Sequence, residues 1–102
     1  MTQHVEFVKF RVQDGQRAAF LAARPAAIAA VRAAHPTLVG APVLAEHPDG
    51  SWTDVWIYQT AEAAAAANQQ ADRIPAFMAM AALLDDVTID EATAPDEAGA
   101  RP

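Results

Sequence analysis

The chain has 102 residues, of which 53% are hydrophobic and 20% charged, and its formal net charge is −6. That is enough apolar material for the core of one domain, while the acidic balance argues against nucleic acid as a partner, because phosphate binding needs clustered Lys and Arg. Cysteine is absent and Lys9 is the single lysine, so disulfides, thiolate metal sites, cysteine nucleophiles and a polybasic membrane patch are all excluded.

The start, "MTQHVEFVKF", has no cationic segment followed by a long apolar run, and nowhere do about 20 apolar residues occur free of charge. A soluble cytoplasmic protein with no membrane span is expected. "HVEFVKFRV" (4–12) predicts a first strand, with Val5, Phe7, Lys9 and Arg11 on one face and Glu6, Val8, Phe10 and Val12 on the other. "QDGQ" is a turn. A helix over 16–34 follows, with Phe20, Leu21, Ile28 and Val31 as its apolar stripe. Pro25 falls inside it, and either kinks it or opens a second helical piece.

"LVGAPVLAEH" (38–47) predicts an edge strand, since Gly40 and Pro42 are best tolerated there. "HPDGS" is a turn, so "SWTDVWIYQT" (51–60) should complete a hairpin. Thr60 is a natural N-cap for "TAEAAAAANQQA", and Pro75 starts a further helix carrying Ile74, Phe77, Met78, Ala81 and Leu84. A last strand is expected at 86–92. Residues 94–102 lack apolar pattern and read as a disordered tail behind a single domain of residues 1–93.

The element order β-α-β-β-α-β is that of the α+β ferredoxin-like unit, a four-stranded antiparallel sheet in the order 4-1-3-2 with helices on one face. Val8, Phe10, Val12, Val55, Ile57, Val87 and Ile89 form a uniformly aliphatic or Phe set and are assigned to the helix-covered face. Trp52, Asp54, Trp56 and Tyr58 then fall on the open face with Lys9, Arg11, Thr88 and Asp90. An aromatic patch of that size on a bare face suggests an interface, most simply with a second copy of the chain.

The segments "VEFVKFRVQDGQRAAFLAARPAAIAAVRAAHP", "DGSWTDVWIYQTAEAAAAA" and "IPAFMAMAALLDDVTID" resemble the antibiotic biosynthesis monooxygenase-type domains of the dimeric α/β-barrel superfamily. The resemblance covers residues 4–92. It implies two ferredoxin-like subunits paired sheet to sheet, each keeping a pocket between its sheet and helices. It also implies a cofactor-independent monooxygenase acting on a hydrophobic aromatic or polyketide-like molecule, or a non-catalytic binding or stress-related dimer of the same fold. The monooxygenase branch carries a strand-3 tryptophan, which Trp56 matches, and an asparagine four residues earlier, where this chain has Trp52. The haem-degrading branch needs a strand-1 asparagine and a histidine on the helix after strand 3, and this chain has neither.

Within that frame Trp52, Trp56 and Tyr58 either stack on a flat substrate or pack the dimer interface. Asp54 is a candidate general base or an ion-pair partner of Lys9 or Arg11. Arg24 lies between Phe20 and Ile28 on the helical wheel, where it either holds an enolate or phenolate or snorkels at the bend. His35 is a candidate proton shuttle or a residue favoured by the helix C-terminus. Phe77, Met78 and Asn68 are candidate pocket residues. The three histidines lack metal-ligand spacing, and neither a metal nor a cofactor is expected.

Overall fold

The computed structural model describes residues 2–96. Strand β1 (Gln3–Val12) leads through a turn at Gly15, whose φ of 78° suits glycine, into helix α1 (Arg17–Ala34). Strands β2 (Leu38–Glu46) and β3 (Ser51–Tyr58) form the expected hairpin, and helix α2 (Ala61–Gln69) follows. A 3-10 turn at Ala71–Arg73 precedes helix α3 (Pro75–Ala81), and strand β4 (Leu84–Ala94) closes the sheet. The sheet is antiparallel in the order β2-β3-β1-β4, which is the ferredoxin-like arrangement. No helix among the described residues is long and apolar enough to cross a membrane.

Local chemistry places the ends. Thr60 caps α2, its hydroxyl accepting from the Ala63 N–H at 3.0 Å. Pro75 sits in the first turn of α3, where its missing N–H costs nothing. Pro25 does not split α1, which runs continuously through it. Strand β4 is longer than expected. Ala94 belongs to it, Pro95 and Asp96 follow it, and residues 97–102 of the expected tail lie outside the described residues. Between the pairs Lys9–Thr88 and Arg11–Asp85 the ladder slips by one residue, and Asp86 absorbs the extra length at φ 57°. Aspartate tolerates that left-handed conformation better than most side chains.

Helix α1 lies over the β2 side of the sheet. Arg17 pairs with Glu46, Arg24 donates to the Ala41 carbonyl, and Arg32 donates to the Val39 carbonyl. Gly40 permits the last of these, because a Cβ there would sit 3.3 Å from the Arg32 guanidinium. Helices α2 and α3 cover β1 and β3, and β4 is left exposed along its length.

One expectation is corrected. Trp52, Asp54, Trp56 and Tyr58 are on the helix-covered face, and every one of them is buried. Their cross-strand partners are Phe10, Val8, Glu6 and His4. The strand-1 assignment holds, but strand 3 has the opposite face inward. The reason is area. Two tryptophans and a tyrosine bury far more apolar surface than Val55 and Ile57, at about 25 cal/mol per Å². The helices also supply matching rings. Phe20, fully buried, sits edge-on to both Phe10 (5.3 Å) and Trp52 (5.5 Å). Phe77 meets Trp56 edge-on at 6.3 Å. The open face keeps Phe7, Val55 and Ile57 beside Lys9, which pairs with Asp90 at 3.3 Å.

Candidate functional site

Turning β3 inward brings Asp54 into the core, where a lone carboxylate would be prohibitively costly. Arg24 answers it from the apolar stripe of α1. Its Nε donates to Oδ2 at 3.0 Å and its Nη2 to Oδ1 at 2.7 Å, a two-pronged pairing. The same Nη2 donates to the Ala41 carbonyl at 2.9 Å, in the irregular stretch of β2 between Gly40 and Val43. Asp54 therefore does not pair with Lys9 or Arg11 across the ladder. Arg11 turns instead to the Asp49 carbonyl at 3.1 Å.

Beside this pair, between the sheet and helices α2 and α3, is a cavity of about 480 Å³. That volume suits a small organic molecule. Trp56, Tyr58, Phe77 and Met80 supply most of its aromatic and apolar wall, and it opens along β4 past Val87 and Ile89, which stay half-exposed. A shallower groove of about 530 Å³ lies over the β2–β3 hairpin near Lys9 and Asp49, but none of its ionisable side chains is buried.

In the cavity wall stands a carboxylate that the sequence reading did not single out. Glu6 is 2% exposed and faces Trp56 on one side and Glu91 on the other. Asn68, at the end of α2, donates to its Oε2 at 2.7 Å. Burial raises the Glu6 pKa above its ordinary value, partly offset by the Asn68 hydrogen bond. Tyr58, diagonal to Glu6 across the β1–β3 ladder, is held well above the ordinary phenol range by burial and by the nearby carboxylate. At the rim, His4 Nε2 lies 3.2 Å from Glu91 Oε1. His4, Glu6 and Glu91 each place one potential ligand atom within 4.8 Å of the others. One imidazole and two carboxylates suit a divalent cation, although Asn68 and the His4–Glu91 contact already occupy part of that capacity. Sequence spacing hid this group because Glu91 comes from the far end of the chain. The available clue to Glu6 was its place as the single acid among Val8, Phe10 and Val12 on the inward face of β1.

The expected site residues divide. Trp56, Tyr58, Phe77, Asn68 and Asp54 line the cavity. Arg24 reaches Asp54 and is engaged there and at Ala41. Trp52 is stacked on Phe10 in the core, with the Arg17 guanidinium 5.6 Å from its ring. Met78 is 43% exposed and outside the cavity lining, unlike Met80. His35 is the residue just after α1, where its backbone N–H closes onto Val31, and it is also outside that lining. Its Nε2 is buried without a hydrogen-bond partner among the described residues.

No family model and no curated protein matches the sequence. Solved structures do match the fold. A protein from Bordetella bronchiseptica assigned to the antibiotic biosynthesis monooxygenases superposes with a TM-score of 0.75 at 17% identity, over 90% of this chain and 96% of that one. Another with the same assignment, from Caulobacter crescentus CB15, gives 0.72 at 18%, over 92% and 91%. A mutant of SnoaB, a cofactor-independent oxygenase from Streptomyces nogalater, gives 0.64 at 20%, over 91% of each chain. The chain has the fold of these monooxygenase-type proteins. At such identities the likeness carries the ferredoxin-like architecture, and the chemistry rests on this chain's own residues.

Two outcomes test the site's electrostatics. Arg24→Ala strands a buried carboxylate and should cost about 3–5 kcal/mol in urea unfolding, whereas the paired change Arg24→Met with Asp54→Leu should cost much less. Equal losses would refute the pairing. For Glu6 the raised pKa fixes the sign. Its favourable contribution is complete below the ordinary carboxyl pKa of 4.5 and is lost as pH rises through the folded-state value. Glu6→Gln should therefore match the wild type near pH 4 and become the more stable of the two toward pH 8. Parallel stability curves from acid to neutral pH would contradict the raised value.

Proposed function

We propose that this protein is a cytoplasmic, cofactor-independent oxygenase-type enzyme that binds a flat, hydrophobic aromatic or polyketide-like molecule between its sheet and helices α2 and α3. The observation that carries this reading is the aromatic cavity with a buried carboxylate in its wall. Trp56 and Phe77, set edge-on, suit an aromatic ring inserted beside them. Such a substrate would react with O₂ as its carbanion, a methylene between two rings becoming a carbonyl with release of water. The protein's part is to bind, ionise and shield it.

Arg24 has no place in that chemistry, since Asp54 and Ala41 hold its guanidinium. Asp54, closed off by the same pair, is a poor base. Trp52 favours a second reading. It stands where the resembling monooxygenases carry a polar asparagine, yet here it is core packing. A non-catalytic carrier of the same hydrophobic ligand would tolerate that change.

The open sheet face supports a homodimer. Phe7, Val55 and Ile57 remain incompletely covered in the isolated subunit, and Val43 is 49% exposed. A second copy laid on this face would bury them.

Oxygen uptake with anthrone and quinol substrates should exceed buffer for the wild type and fall at least about 10-fold for Trp56→Ala, as expected when a positioning contact is lost. Binding of these compounds without oxygen uptake would favour the carrier. For the dimer, Val55→Glu should shift sedimentation to the monomer while leaving the circular dichroism spectrum unchanged. An unchanged sedimentation coefficient would place the interface elsewhere.

A further inference from the structure

The subunit buries two carboxylates, Glu6 and Asp54, and treats them differently. Asp54 receives a guanidinium on both oxygens. Glu6 receives one neutral amide on Oε2, and its Oε1 has no hydrogen bond among the described residues. A purely structural buried acid is normally paired with a cation. Asn68 instead fixes the carboxylate's orientation without bringing a formal charge to it, in the wall of a cavity with room for a ligand. From these observations, and resting on the proposed function above, we infer that Glu6 is the general base of this site, and that its substrate is a neutral hydrophobic acid whose acidic C–H is conjugated to a carbonyl, directly or through an aromatic ring.

The charge of the cavity selects that substrate class. Its lining includes Glu6, Asp54 and Glu91 but no Lys or Arg. Asp54 is already paired with Arg24, so a ligand that arrives as a carboxylate or phosphate would meet the carboxylates of Glu6 and Glu91 with no Lys or Arg in the lining to receive it. A neutral carbon acid enters freely and ionises only at Glu6. The C–H bond breaks, its proton forms an O–H bond on Glu6 Oε1, and the electron pair is delocalised through the conjugated system onto the carbonyl oxygen as an enolate or phenolate.

Tyr58 is placed to meet that oxygen. It lines the cavity, its hydroxyl makes no hydrogen bond among the described residues, and it remains an O–H donor at neutral pH. The proton then leaves through His4 and Glu91, whose atoms lie within 4.8 Å of Glu6, Glu91 being 61% exposed. The titratable groups facing Glu6 are His4 from its own strand, Tyr58 and Asp54 from β3, and Glu91 from β4. The helices bring Asn68, Ala71, Phe77 and Met80, none of which titrates.

The test separates proton abstraction from oxygenation. Anthrone is incubated with protein in D₂O under argon, and deuterium entering its methylene is followed by NMR. Calorimetric binding of anthrone is measured in parallel. The wild type should accelerate exchange over buffer. Glu6→Gln keeps the shape and the capacity to accept from Asn68. It should still bind anthrone yet lose about 100-fold or more in exchange rate, the usual scale for a general base. Glu6→Asp should recover part of the rate, and Tyr58→Phe should lower it with binding retained. Exchange by Glu6→Gln within threefold of wild type overturns the assignment, even if oxygen uptake stands. Anthrone binding to the wild type without exchange overturns the base and leaves the cavity as a ligand site. Absence of both binding and exchange removes the base and the proposed function together.

Discussion

Asp54 cannot enter the core of this subunit without a positive charge beside it, and the rest of the architecture follows from how that charge is delivered. Arg24 is one residue before Pro25 on the stripe that includes Phe20, Ala27 and Val31, so the helix that packs the core also carries the cation. With Asp54 neutralised, β3 can turn its alternate side chains Trp52, Trp56 and Tyr58 inward. The Arg24 contact to Ala41 ties the same point to the irregular part of β2. Helix, hairpin and aromatic core thus meet at one guanidinium.

That geometry separates two roles which sequence alone blends. The Arg24–Asp54 pair is satisfied within itself and does not face a ligand with free charge. Glu6 shares the same sheet face with a single neutral partner. A few ångströms of tertiary placement therefore pair one buried carboxylate with a cation and give the other a neutral amide. The two differ in counter-charge rather than in depth, since both are 2% exposed.

The cavity itself reflects incomplete coverage. Helix α1 occupies the β2 side, while α2 is a short alanine-rich helix and α3 spans only seven residues. Small alanines against large aromatic rings leave space, where leucines would fill it. Strand β4 has no helix above it, so that space reaches the surface. The opposite face of the sheet carries no helix, and Phe7, Val55 and Ile57 there are only partly covered.

Much of this fold was legible along the chain. Thr60 and Pro75 marked helix starts through capping and ring geometry, Gly15 and the "HPDGS" turn marked reversals, and the order of elements fixed the ferredoxin-like topology. Arg24 was visible as a charge in an apolar stripe, which period-3.6 reasoning detects without a structure. The face of β3 was not legible, because strict alternation offers two faces and both were plausible cores: one aliphatic, one aromatic with a carboxylate. Only the partner rings of Phe20 and Phe77 and the cation on α1 decide between them, and these are contacts between segments distant in sequence. Glu6 escaped notice for the same reason. Its neighbours Asn68 and Glu91 lie more than sixty residues away. The sequence determined the elements, their order and the inward face of β1, which depend on local propensity and periodicity. Tertiary packing decided which carboxylate is paired, which is left unpaired, and where a ligand has room, because those depend on side chains that meet only when the sheet and its helices have closed together.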